Sequence, residues 1–327
     1  MRFGILGNAK IARTQVIPAM LQAGHTPVSL GSRGPMAPWD GAPPMRWTDY
    51  AGVLNDPQVQ AVYIALPNHL HTQWTVAALH AGKHVLCEKP MALSTEESAQ
   101  IQAAMQATGR HAVEAYMVRH HPQWQWLRQA ELGDIRQIQV VFNYDNRDAH
   151  NIRNALPHGG GALWDIGCYA VFAGHWLMGK SPDLVDARMQ RHPTWGVDLH
   201  TQGTLSWHAR EGRGAAHLQF MVSTQSAKSQ SVYVVGERGW AQLHAPFNPP
   251  HGPGVSTATW ASQAGLHHEA HTLTFEPCNA YANMVCDFAA RVASGQTPSM
   301  QDSPDITHTL CRLIEASAGQ SARSALQ

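Results

Sequence analysis

The sequence has little charge, few cysteines and no long apolar run, and each shortage narrows what the chain can do. Asp, Glu, Lys and Arg make up 14% of the 327 residues, and 23 basic and 23 acidic side chains cancel to zero net charge. With no basic run, nucleic acid and anionic membrane are poor candidates as partners. The five cysteines (Cys87, Cys168, Cys278, Cys286 and Cys311) are odd in number and form no CxxC pair. That pattern suits reduced thiols in a cytosolic protein and argues against a disulfide framework. No apolar stretch approaches the roughly 20 residues of a membrane helix, and Met1-Arg2-Phe3 runs directly into a strand pattern with no signal peptide, so a cytoplasmic protein is expected. Histidine is plentiful at 21 residues, yet the densest cluster, His267-His268-Glu269-Ala270-His271, lacks the spacing of an HExxH helix. It reads as a solvated loop, and no metal site is expected.

What is present is enough apolar residue, 44%, to fill a large core, in a chain long for one domain. Phe3 to Leu6 reads as a short central strand, Lys10 to Ala23 as a helix closed by Gly24, Val28 to Gly31 and Gln60 to Leu66 as further strands, and Thr72 to His80 as a helix before the strand His84 to Cys87. Ser94-Thr95-Glu96-Glu97 is a capping box opening a helix to about Thr108. The alternation predicts an N-terminal doubly wound parallel sheet of the Rossmann type over residues 1–120. An irregular crossover is expected where Pro35, Pro38, Pro43 and Pro44 fall in place of a helix. Beyond it, residues 121–327 predict an α+β domain. Long alternating runs such as Ile135 to Tyr144 and Ala215 to Val222 give a large, mostly antiparallel open sheet, and Ala162 to Met178, Tyr281 to Ala293 and Asp305 to Ala318 give helices.

Three segments carry chemistry. The first is the turn Gly7-Asn8-Ala9-Lys10-Ile11-Ala12, between a strand and a helix. It departs from GxGxxG by an alanine at the second position but still offers helix N-terminal amides to a phosphate. Where an NAD enzyme carries an acid for the adenosine 2′-hydroxyl, this chain has Ser32-Arg33. A hydroxyl and a guanidinium suit the 2′-phosphate of NADP, so NADP(H) is the expected cofactor, with NAD as the alternative. The second segment is Glu88-Lys89-Pro90 at the end of a buried-strand pattern. Ligands of open α/β sheets sit outside the carboxyl ends of the strands, so Lys89 is aimed at whatever the first turn holds. The third is Gly159-Gly160-Gly161-Ala162-Leu163-Trp164-Asp165-Ile166-Gly167-Cys168-Tyr169, in which Asp165 and Tyr169 share one helix face.

In this order the three segments resemble the Gfo/Idh/MocA family of nicotinamide-dependent oxidoreductases, and most the branch with glucose-fructose oxidoreductase, dihydrodiol dehydrogenase and NADP-dependent xylose dehydrogenase. The likeness falters at Pro35 to Pro44 and around Leu266 to Cys278. The resemblance implies a lysine, here Lys89, near the nicotinamide ribose and the substrate, with Glu88 and Pro90 shaping its turn and a Lys-Pro bond that is often cis. It implies that Tyr169 exchanges the proton with the substrate oxygen while Asp165 orients the substrate hydroxyl. Leu66-Pro67-Asn68 through His71 matches the loop that lies against the nicotinamide, and His121, Arg153 and Trp164 are candidates for the wall of a polyol pocket, each with a structural role as its alternative. A phenol brought to half ionisation near neutrality needs roughly 4 kcal/mol. An ammonium about 4 Å away, at an effective dielectric near 20, supplies a comparable amount. The substrate implied is a sugar, polyol or dihydrodiol, and the open sheet, as in relatives, implies a homodimer or higher homo-oligomer. A cofactor-binding regulator without turnover is the alternative, and Lys89, Asp165 and Tyr169 together speak for catalysis.

Overall fold

Short, wholly apolar runs bounded by turn residues become strands buried on both faces, and this is how the first sheet forms. The computed structural model describes residues 1–34, 38–250, 254–262 and 269–324. Strands β1 (Arg2–Leu6), β2 (Thr26–Gly31), β3 (Arg46–Thr48), β4 (Ala61–Ile64), β5 (His84–Cys87) and β6 (Ala112–Glu114) are all parallel, in the order β3-β2-β1-β4-β5-β6. The strand order reverses between β1 and β4, the position at which a doubly wound sheet opens a crevice at its carboxyl edge. Ile5, Leu6, Val62, Ile64, Val85 and Leu86 are fully buried in it. Helices His71–His80 and Thr95–Thr108 cover the sheet. Ser94 caps the second through the amide of Glu97, and the Glu97 carboxylate takes the amide of Leu93, one residue outside the expected box. Two elements are additions to those expected, β3 and the helix Tyr50–Leu54, whose cap is Asp49. Both follow the proline-rich crossover, where residues 38–45 hold no helix and residues 35–37 lie outside the described residues.

The chain divides into two compact units, but not by a single cut at residue 120. The first comprises Met1–His120 with Asn279–Pro304, and the second His121–Cys278 with Asp305–Gln327. The returning segment belongs to the first unit for local reasons. Asn279 caps the helix Ala280–Ala293 and donates to Gln22 at 2.7 Å. The Phe288 ring lies tilted at 6.0 Å from Phe3 of β1, and Asp302 pairs with Arg119. Nothing in the local sequence of a helix reveals which core will receive its apolar face.

The second unit is built on an eight-stranded sheet ordered β14-β13-β12-β11-β7-β10-β9-β8. Its strands are β7 (Ile135–Asp145), β8 (Leu184–Arg191), β9 (Asp198–Trp207), β10 (Ala216–Ser223), β11 (Gln225–Gly236), β12 (Gly239–Leu243), β13 (Ser256–Ser262) and β14 (His271–Phe275). Every pairing is antiparallel except β7 with β10. One face is buried: Ile138, Val140 and Phe142 of β7 and Leu218, Phe220 and Val222 of β10 point inward, and the helix Cys168–Met178 lies in that core. The other face, with Gln139, Gln219 and a 57% exposed Met221, is open to solvent in the single chain. Among the described residues no helix is long and apolar enough to cross a membrane.

Candidate active site

The turn after β1 is fixed by backbone geometry before any side chain matters. Gly7 has φ +103°, and a Cβ there would lie 2.4 Å from the Ala65 carbonyl, so only glycine fits. Its N–H donates to Gly31 O at the end of β2 at 2.9 Å. The helix that follows makes its first backbone bond from Arg13 N–H to Ala9 O, and it passes through a π-helical turn at Ala12–Val16 with no side-chain cap. The amides of Lys10, Ile11 and Ala12 are therefore left facing the turn. Asn8 Oδ1 is buried with no partner. Free amides beside an unmatched buried amide group fit a pyrophosphate with its attached hydroxyls. Ser32 and Arg33 directly follow β2; Ser32 Oγ accepts from Gly34 N–H, and the Arg33 side chain is exposed.

Lys89 stands just past the carboxyl end of β5, half-buried, and the Lys89–Pro90 peptide is cis. Side chains from neighbouring elements hold the turn. Tyr63 of β4 donates to Glu88 Oε1 at 2.7 Å, and the Met91 amide donates to Glu114 Oε1 at 2.7 Å. His71 has its Nδ1 2.7 Å from Pro90 O and its Nε2 2.8 Å from Leu66 O. Burial, above all, pushes the Glu114 carboxyl up to about 7 and the His71 imidazole down to about 4. Burial and the Glu88 carboxylate raise Tyr63 well above the usual phenol range, and burial lifts Tyr281 as well. Thus Leu66, His71, Glu88 and Lys89 meet at one edge of the first sheet. Pro67 and Asn68 continue the β4 loop into the short 3-10 turn Asn68–Leu70.

In the second unit the triple glycine brings a loop back onto the start of a helix. Gly161 N–H donates to Arg153 O at 2.9 Å, and a Cβ on Gly160 would sit 2.4 Å from that same carbonyl. Gly161, at φ +117°, leaves room for Asp198, whose Oδ2 accepts the Leu163 amide at 2.8 Å and the Thr201 hydroxyl at 2.5 Å. Burial raises the Asp198 carboxyl above its ordinary value. The helix then runs through a π-helical turn at Leu163–Gly167 before becoming α-helical at Cys168–Met178. The single helix expected over Ala162 to Met178 is therefore irregular at its chemically interesting end, a frequent sign of a functional position. Asp165, on the π turn, is 8% exposed. Its Oδ1 accepts from Arg153 Nε at 3.0 Å and its Oδ2 from the Tyr144 hydroxyl at 2.5 Å. Tyr169 lies in the first α turn, its ring 5.6 Å from Phe142 and 5.3 Å from Phe247. Trp164 is half-buried on the π turn.

His121 does different work. It is 2% exposed, its Nδ1 accepts from Gln123 N–H to cap the helix Pro122–Gln129, and its Nε2 lies 3.4 Å from Ser256 Oγ. Two residues absent from the sequence-derived set join the site. Tyr144 ends an alternating strand, and only the fold puts its hydroxyl on Asp165. Asp198 is 35 residues from the amide it caps, and no local motif announces it. Among the described residues no group of three His, Cys, Asp or Glu is arranged to hold a metal ion. His267 and His268 lie outside the described residues.

A doubly wound sheet with a glycine turn at its switch point and a lysine at the neighbouring carboxyl edge defines a dinucleotide-binding α/β protein of the oxidoreductase kind. The chain belongs to the GFO/IDH/MocA oxidoreductase family: residues 1–116 match its NAD-binding Rossmann fold and residues 124–242 its C-terminal domain. It is 36% identical to an uncharacterised oxidoreductase of Rhizobium meliloti, over 90% of each chain. It is 31% identical to D-xylose 1-dehydrogenase (NADP(+)) 2 of Haloferax volcanii, over 97% of each. A 3-ketoreductase from Actinomadura kijaniata, solved in complex with NADP and TDP-benzene, superimposes with a TM-score of 0.84 at 26% identity over 97% of each chain.

Proposed function

We propose that the protein is an NADP(H)-dependent dehydrogenase or reductase acting on a CH–OH group of a sugar, polyol or dihydrodiol. The observation that carries this reading is the carboxyl edge of the first sheet, where the uncapped amides after Gly7 and the braced Lys89 turn flank the switch point. The cofactor, when bound, supplies or accepts the hydride. Gly7, Asn8, Ala9, Lys10 and Ile11 would hold its pyrophosphate, with Leu66, Pro67, Asn68 and Glu88 toward the nicotinamide end. Ser32 and Arg33 would hold a 2′-phosphate, and the stretch Gly31-Ser32-Arg33 itself carries no carboxylate. The names of the xylose dehydrogenase and of the ketoreductase complex, both with NADP, support that choice.

In this reading Tyr169 would pass the proton to or from the substrate oxygen, with Lys89 assigned as its assisting group. Asp165 accepts a hydrogen bond from the substrate hydroxyl. It is ion-paired with Arg153, and in this reading Arg153 and Trp164 face the substrate with it. The open sheet face with Val141 and Met221 supports assembly as a homodimer, which light scattering after size exclusion tests directly. The function is tested by screening NADP+ reduction against aldoses, inositols and dihydrodiols. Turnover with a member of one class is expected, faster with NADP+ than with NAD+. A silent panel alongside tight NADPH binding, or a preference for NAD+, overturns the reading.

A further inference from the structure

The loop after β4 and the turn after β5 are adjacent strand ends, and one buried ring joins them. His71, the first residue of the helix His71–His80, is 1% exposed. Its two nitrogens face the carbonyls of Leu66 and Pro90 at 2.8 and 2.7 Å. Pro90 is the residue after Lys89. Around it the turn is fixed at successive positions: Glu114 takes the Met91 amide, Thr72 Oγ1 reaches Met91 O at 3.4 Å, and Glu97 takes the Leu93 amide. His71 differs in kind, because it references the turn to the neighbouring strand's loop. With both nitrogens turned to protein carbonyls, the ring has no free polar atom to offer a cofactor.

We propose that His71 is a positioning residue that sets where the Lys89 amine stands relative to the Leu66–Asn68 loop, and that it does not itself bind the dinucleotide. This goes beyond the family reading and rests on the role given above to Lys89. A neutral imidazole carries one N–H, so at any instant one carbonyl is bonded and the other is only in contact. Burial keeps the ring neutral, and the Lys89 ammonium pushes in the same direction. A buried cation beside the half-buried Lys89 is thereby avoided, at the cost of one unmatched carbonyl lone pair.

The test uses the full chain and needs no substrate. The rate of Lys89 acetylation by acetic anhydride is followed by mass spectrometry across pH, and NADPH affinity by fluorescence, in wild type, His71→Phe, His71→Asn, Lys89→Met and the His71→Phe/Lys89→Met double variant. Release of the turn exposes the amine, so Lys89 labelling in His71→Phe is expected to rise at least about threefold, equivalent to half a pH unit along the profile. His71→Asn, too short to reach both carbonyls, is expected to shift the same way, and it carries the test alone if the phenylalanine variant does not fold. Adding His71→Phe to Lys89→Met is expected to change NADPH affinity by less than about twofold, since residues acting through one another are not additive. Unchanged Lys89 labelling in a folded His71 variant overturns the proposal, and so does a further tenfold loss of NADPH affinity in the double variant. Failure of Lys89 as a catalytic group would appear separately, as full turnover by Lys89→Met.

Discussion

Two helices of this protein begin on a π-helical turn, one after Gly7 and one after Gly161, and they treat their free amides in opposite ways. The first has no side-chain cap and no acid in its opening turn, and it sits at the switch point of a parallel sheet. The second has its leading amide taken by Asp198, carries Asp165 on the turn itself, and packs inside a one-sided sheet. A helix that leaves its amides unmatched is prepared for an anion. One that satisfies them internally can present side chains instead. The difference matches the roles proposed for the two helix starts, one for binding and one for reaction.

Breaking the reacting end has the largest expected effect. Asp165→Asn leaves Arg153 facing a neutral amide, and kcat should fall by about 100-fold or more with NADPH affinity within about twofold, as steady-state kinetics and fluorescence titration would report. Next come the two glycines. Gly7→Ala and Gly161→Ala both force an L residue to φ above +100° against a close oxygen, and each should cost about 2–4 kcal/mol in urea unfolding. NADPH binding tells them apart: it should weaken by roughly tenfold or more in Gly7→Ala alone, because only that backbone is proposed to meet the pyrophosphate. Arg33→Gln should then weaken NADP+ binding about 10- to 100-fold while leaving NAD+ binding near its original value, the signature of a lost charged pair to the 2′-phosphate.

The smallest effect is a pH dependence of stability within the first unit. Glu114 has its folded pKa raised to about 7, so between its unfolded value near 4.5 and pH 7 the native state binds more protons than the unfolded one. Its contribution is therefore full at low pH and is lost as pH rises through that window, by at most about 3 kcal/mol. His71, His84 and His120, each pushed down to about 4 chiefly by burial, act in the opposite sense and lose stability as pH falls from 6.5 toward 4. The informative measurement is thus a difference. Relative to wild type, the melting temperature of Glu114→Gln should climb as pH goes from 4.5 to 7, and parallel curves would remove this role from Glu114.

Much of the first unit is legible in the sequence because its determinants are local. Apolar runs such as Val62 to Ile64 and His84 to Cys87, punctuated by Gly7, Gly24, Gly82 and Gly109, mark strands and turns directly. Lys89 is readable because strand end and ligand edge coincide in this fold class. Contacts between distant segments are not legible. Tyr144 is an ordinary alternating strand residue until β7 is set beside the triple-glycine loop, and Asp198 caps a helix from a different element. The π turns are invisible to periodicity, since one extra residue in a turn leaves Asp165 and Tyr169 nearly in line. The return of Asn279–Pro304 depends on Phe288 finding Phe3, a pairing 285 positions apart that no spacing rule encodes.

The proposed role of Tyr169, moving the proton during hydride transfer, is the step on which the functional reading turns. It is met most directly by comparing Tyr169→Phe with wild type in NADP+ reduction by whichever panel compound is turned over, alongside NADPH affinity. Tyr169→Phe is expected to lose kcat by about 100-fold or more, with affinity unchanged within about twofold. Turnover retained in Tyr169→Phe would contradict it.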